Sequence, residues 1–237
     1  ATAGRNIKKS LLELGGSDAF IVLDDADLDD AAKTGALARL QNCGQTCVAA
    51  KRFIIQNNIW DAFLPKFISE YEKFIPADPT KPDTKIAGMA RPDLADELEA
   101  QYNKALENGA EIILPLERIS ETAFKPGLIK VKKGNPILQE ELFGPLGMVM
   151  EAQNDEEAVT IANDIPFGLA NSVWTKDADR QKFFIENLDS GTVNINKMTS
   201  SDPRLPFGGT KSSGYGTELS LNALKEFVNA KTVVGKI

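Results

Sequence analysis

The sequence predicts an α/β protein with a central, mostly parallel sheet flanked by helices. Two observations carry this. Short apolar runs rich in β-branched residues recur along the chain, and between them lie segments whose apolar residues repeat every three or four positions. Strands alternating with helices in this way build parallel sheets.

The elements follow in order. "AFIVL" (19–23) reads as a strand buried on both faces. Asp24 or Asp27 then caps a helix whose inner face is Leu28, Ala32, Ala36 and Leu40. "RFIIQ" (52–56) is the next strand, followed by a helix marked by Ile59, Phe63, Phe67 and Tyr71, in which Pro65 is a candidate kink. Leu94, Leu98, Tyr102 and Ala105 share a helix closed by Gly109, ahead of the apolar "EIILPL". Asn154 and Glu157 form a capping-box pattern that opens "DEEAVTIAN". "NSVWT" (171–175) and "GTVNI" (191–195) are strand candidates around a helix holding Phe183, Phe184 and Leu188. Residues 200–216, rich in Gly, Ser and Pro, read as a loop, and "NALKEFVNAKTVVGKI" as a helix followed by an extended tail.

Composition narrows the function. A net charge of −7 argues against nucleic acid or an anionic membrane as partner. No apolar run approaches the ~20 residues of a membrane span, and the amino terminus lacks the apolar stretch of a signal peptide. Two cysteines point to a reducing, cytoplasmic setting. The chain contains no histidine, which removes Ser-His and Cys-His nucleophile pairs and the commonest zinc ligand. Acid–base work near neutral pH then falls to carboxylates, thiols or lysines.

Both cysteines lie in "QNCGQTCVAAKRF" (41–53), four residues apart. Without histidine they supply only part of a metal site, so no metal is expected. A redox pair favours Cys-X-X-Cys, which this is not. Free cysteines are most often small buried hydrophobes. Cys43, within the helical period, reads that way. Cys47 sits past the helix in a Gly-Gln-Thr turn with a lysine and an arginine close behind, where a thiol gains access and its own N–H can face a developing oxyanion.

"LELGG" (12–16), "GQTC" (44–47), "EELFGP" (140–145), "GTVNIN" (191–196) and "PFGGTKSSGYG" (206–216) occur in the order found in the aldehyde dehydrogenase superfamily, and the chain resembles that family over essentially its whole length. "ELGGSDAFIVLDDADLDDA" and "CGQTCVAAKRFII" resemble its bacterial NAD(P)-dependent succinate-semialdehyde branch. The resemblance implies Cys47 as nucleophile, Glu13 as general base, Glu141 on a cofactor ribose hydroxyl and Phe143 near the nicotinamide of NAD or NADP. Glu13, with apolar residues before it and glycines after it, suits a desolvated carboxylate of raised pKa. The thiol chemistry needs no histidine, and an unperturbed thiol of pKa about 8.5 is already a few per cent thiolate near neutral pH.

The same resemblance sets the expected organisation. Residues 1–18 would end a cofactor-binding domain, 19–216 form the catalytic domain, and 217–237 a helix and oligomerisation tail of a homodimer or homotetramer. Most of the cofactor domain, and the family's oxyanion-hole asparagine, would lie outside this chain, leaving it inactive alone. The succinate-semialdehyde enzymes place an arginine where this chain has Gln41. Ser201 matches their substrate-binding serine by position, and Arg204 or Lys197 could supply the cation for a small carboxylated aldehyde. Two other readings stand beside the dehydrogenase: a non-enzymatic interaction module, and a cofactor-independent thiol esterase.

Overall fold

The computed structural model describes residues 1–236. Seven strands form the central sheet: β1 (Ala19–Val22), β2 (Arg52–Gln56), β3 (Glu111–Leu114), β4 (Gly127–Lys130), β5 (Leu146–Ala152), β6 (Ala170–Trp174) and β7 (Thr192–Ile195). Their spatial order is β7-β6-β1-β2-β5-β4-β3. Every neighbouring pair is parallel except β3 with β4. The exception is the edge hairpin, where β3 runs antiparallel and shifts register between Ile112 and Leu114.

Helices cover both faces: α1 (Leu28–Leu40), α2 (Trp60–Tyr71), α3 (Pro92–Glu107), α4 (Asp155–Asn163) and α5 (Ala178–Asn187), with α6 (Ser220–Glu226) near the carboxyl end. Alternate residues of β1 serve opposite cores, as a pleated strand requires. Phe20 and Val22 pack with Phe53, Phe63, Phe67 and Tyr71 under α1 and α2. Ala19 and Ile21 pack with Ala158, Val173 and Phe184 under α4 and α5. A third cluster joins α3 to β4 and β5 and takes in Cys43 and Leu142.

The helix ends show their chemistry. Asp27, not Asp24, caps α1, accepting from Asp30 N at 3.1 Å, while Asp24 pairs with Arg180. Asn154 accepts from Glu157 N at 2.9 Å, but Glu157 returns its carboxylate to Gln153 N, one residue short of the usual capping box. α2 continues as one helix through Pro65. Gly109 takes φ +87 just past α3. After α6 the described residues form no further strand, and Val233 and Val234 are exposed. Ile237, the end of the expected tail, lies outside the described residues. No helix among the described residues is long and apolar enough to cross a membrane.

One feature of the topology decides where chemistry sits. The segments holding Glu13, Cys47 and Glu141 run directly into β1, β2 and β5. Because these strands are parallel, the three segments meet at the amino ends of the strands. Open α/β sheets usually bind ligands at the carboxyl ends.

Candidate active site

The turn before β2 is built from left-handed backbone. Asn42 (φ 51), Cys43 (φ 57) and Gly44 (φ 72) follow one another in a region that disfavours side chains. Such strain persists only where surroundings fix it. Asn42 Nδ2 donates to Gln45 O at 3.0 Å, Gln45 Nε2 returns a bond to Asn42 O, and Gln45 Oε1 accepts from Ala90 N at 2.9 Å. Beneath them lies the fully buried Arg39 guanidinium, donating to the carbonyls of Gly44 (2.9 Å), Leu142 (3.0 Å), Ala50 (3.3 Å) and Gly144. At Gly44 an added Cβ would run into Gly144 O and Arg39. Gly44→Ala should therefore destabilise the fold by roughly 2–4 kcal/mol, from steric clash and positive φ together. A thermal melt within a degree or two of the wild type would contradict this.

The turn delivers Cys47 to Glu13. The thiol lies 3.8 Å from Glu13 Oε2, with the sulfhydryl placed to donate. Glu13 is fixed from the other side by the glycine-rich loop. Leu12 and Glu13 pair with Tyr215 and Gly214, Leu14 N donates to Ser213 O, and Ser213 Oγ donates to Gly15 O at 2.7 Å. That loop does more than connect elements, since it sets the height of the acid.

Electrostatics keep this pair neutral more than a solvated pair would be. Burial, then repulsion from Glu218 and Glu141, pushes the Glu13 carboxyl above its ordinary range, against the lowering bond from Cys47. Its Oε1 is buried with no hydrogen-bond partner among the described residues. The Cys47 thiol is also pushed up, first by burial and then by Glu13, with Lys51 pulling it down. Cys47 is therefore not an unperturbed thiol, and Glu13 Oε2 accepts its hydrogen bond. Cys43 is buried and raised to about 11. Alkylation by iodoacetamide should modify Cys47 only as pH rises beyond the ordinary thiol range and spare Cys43 until unfolding. Glu13→Gln, by removing the repelling charge, should move the Cys47 profile to lower pH. A wild-type profile matching that of free cysteine would contradict the assignment.

Glu141 lies alongside. Its Oε1 accepts from Gly16 N at 3.1 Å and pairs with the buried Lys51 ammonium at 3.1 Å. Its Oε2 makes no hydrogen bond among the described residues and sits over Gly15, where a Cβ would collide with it. Phe143 is 39% exposed beside it in the chain. A fixed carboxylate with one acceptor oxygen free beside an exposed aromatic ring could take a hydroxyl donor and a flat ring.

Ser201 and Arg204 lie on an exposed stretch. Arg204 is engaged with Asp202 through Nε (2.9 Å) and Nη2 (2.6 Å). Neither residue hydrogen-bonds to the Cys47–Glu13 pair among the described residues. Sequence reasoning passed over Asp18, Arg39 and Glu218. Arg39 carries a signal in retrospect, being a cation on the inner edge of an apolar helical face. Among the described residues no cluster of three or more His, Cys, Asp or Glu is placed to hold a metal. A wide depression of about 710 Å³ is lined by Asp27, Asp29, Asp30, Lys33 and Lys66 and shares no residue with the Cys47 turn. Room alone does not mark the chemistry.

A thiol just past a left-handed turn contacts a desolvated glutamate at the amino ends of a parallel sheet, in a chain without histidine. The aldehyde dehydrogenase family model matches residues 1–233, and the chain belongs to that family. It is 44% identical over 236 residues to succinate-semialdehyde dehydrogenase (NADP+) 1 of Mycobacterium tuberculosis, covering 98% of this chain and 52% of that protein. The succinic semialdehyde dehydrogenase of Streptococcus pyogenes, solved with NADP+, superposes with a TM-score of 0.92 at 38% identity, over 96% of this chain and 50% of that one. Lactaldehyde dehydrogenase from Escherichia coli matches with a TM-score of 0.94 at 30% identity, over 98% and 50%. The chain spans about half the length of the curated relatives it matches.

Proposed function

We propose that this chain carries the nucleophile and base of an aldehyde dehydrogenase that converts a small aldehyde, of the succinate semialdehyde kind, to its carboxylate with NAD or NADP. The Cys47–Glu13 contact at 3.8 Å, in a chain without histidine, carries the reading. The names of the relatives support the substrate class.

The steps follow from these residues. Glu13 takes the thiol proton, and Cys47 Sγ bonds to the carbonyl carbon, giving a tetrahedral adduct on sulfur. The Cys47 N–H would be the turn's own donor to the adduct's oxyanion. Loss of the adduct's C–H hydrogen with its bonding pair leaves a thioester on Cys47. A nicotinamide cofactor, when bound, supplies the acceptor for that pair, and Glu141 with Phe143 would hold its ribose–nicotinamide end. Glu13, after passing the thiol proton to solvent, deprotonates a water whose oxygen attacks the thioester carbon; the C–S bond breaks, the acid leaves, and the thiolate regains a proton from Glu13. Its raised pKa suits a group that must take protons near neutral pH and give them up again. Ser201 and Arg204 would face a substrate carboxylate, which must compete with Asp202 for the guanidinium.

Residues 1–18 act in this reading as the close of a cofactor domain, 19–216 as the catalytic domain, and 217–237 as the helix and tail through which copies pair. The 237-residue chain alone should therefore show no aldehyde-dependent reduction of NAD or NADP. Its residues reach only one end of the cofactor, and a poorly held reactant loses orders of magnitude in rate. Completed by a relative's cofactor domain, it should oxidise succinate semialdehyde. A completed, folded protein inactive on every small aldehyde would overturn the reading.

A further inference from the structure

The Lys51 ammonium bonds both the backbone of the nucleophile turn and the cofactor-facing acid. Its side chain is fully buried. The ammonium has three protons and three partners: Thr46 O at 2.9 Å, Cys47 O at 2.6 Å and Glu141 Oε1 at 3.1 Å. Two of these are backbone atoms of the nucleophile turn, one of them in Cys47 itself. The third belongs to the carboxylate that Gly16 N also holds, three residues after Glu13. The packing leaves little slack, because a Cβ at Gly16 would stand only 3.0 Å from Cys47 O.

We propose that Lys51 is a positioning residue that couples Glu141 to Cys47, so that a change at the cofactor-facing carboxylate is felt at the thiol. The proposal rests on the roles assigned above to Cys47 and Glu141. A buried ammonium with every donor engaged cannot shift toward one partner without loosening from another. When Glu141 is neutralised, or turned toward a bound hydroxyl, the Lys51 charge is less compensated and bears more strongly on the Cys47 turn. The charged groups facing Lys51 are Asp18, Arg39 and Glu141. Those facing the Cys47 thiol are Glu13, Lys51 and Asp18. Lys51 bonds both Glu141 and the Cys47 carbonyl, while Glu13, which Glu141 also repels, is the other route to the thiol, and the double variant below separates the two.

The test is iodoacetamide alkylation of Cys47 in the 237-residue chain, followed across pH by mass of the Cys47 peptide. It requires neither aldehyde nor cofactor, so it stands apart from the dehydrogenase reading. Glu141→Gln should lower the pH midpoint by about half a unit, a roughly threefold faster reaction near neutral pH. Lys51→Met should raise the midpoint and slow the reaction about three- to tenfold. The double variant should behave as Lys51→Met does. A packing role alone would give neither the acceleration nor the loss of the Glu141 effect. An unchanged profile in folded Glu141→Gln, or additive effects in the double variant, overturns the proposal. Where circular dichroism shows Lys51→Met unfolded, Lys51→Gln takes its place in both the single and the double variant.

Discussion

Cys47→Ala should abolish aldehyde oxidation in the active dehydrogenase containing these residues, by roughly 10⁴-fold or more, while Glu13→Gln should slow the steady state about 10²–10³-fold and leave a burst of reduced cofactor. The two differ because the residues serve different steps. Without sulfur no adduct forms, so nothing follows. Without the Glu13 carboxylate the thiol loses its nearest base, yet it also loses the charge that raises its own pKa. These effects oppose each other in acylation. In deacylation nothing offsets the loss, because water needs a base at that position. The pH dependence follows the same sign. Activity limited by thiol deprotonation rises toward alkaline pH in the wild type, and the burst phase of Glu13→Gln should reach its plateau at lower pH. Pre-steady-state absorbance of the reduced nicotinamide checks both. A glutamine variant with no burst would confine Glu13 to thiol activation.

Arg39→Met should destabilise the chain by about 3–5 kcal/mol, a large share of the stability of an ordinary domain. Arg39 forms no ion pair with a carboxylate among the described residues, and its charge is met by four carbonyls drawn from Gly44, Ala50, Leu142 and Gly144. Methionine fills much of the volume and satisfies none of them. Each buried carbonyl left unpaired costs about 1–3 kcal/mol before relaxation. Those carbonyls belong to the Cys47 turn and to the 140–145 loop, so the loss is local as well as global. The melting temperature should fall by roughly 10 °C. Cys43, raised to about 11 and buried beside Leu142, should begin to alkylate below that temperature. A variant that melts like the wild type and keeps Cys43 protected would contradict this account of the turn.

The sequence exposes what repeats. The inner faces of α1, α2 and α3 are visible as three- and four-residue periods, and β1 as an uninterrupted apolar run, because burial imposes those patterns directly. The Asn154 cap is visible because one side chain serves one local backbone N–H. What stays hidden depends on distant partners. Nothing near Lys51 announces Glu141, ninety residues further on. Asn42 and Cys43 are ordinary residues for a helix end, and their left-handed backbone is imposed by Arg39 below and Gln45 above. The glycine-rich stretch at 206–216 reads as a loop, but its work is to pair with Leu12–Glu13 and bond Gly15 through Ser213. The antiparallel turn of β3 at the sheet edge is likewise a matter of topology that its apolar residues do not record.

The central claim is that Cys47 bears the acyl group that Glu13 helps to release. The direct measurement is to mix the active Glu13→Gln enzyme with succinate semialdehyde and cofactor, quench in acid, and map adduct mass by peptide. One acyl group should be found on the peptide containing Cys47, accumulating in the variant and turning over in the wild type. Turnover with no acyl group on that peptide, or an acyl group carried by another residue, would contradict it.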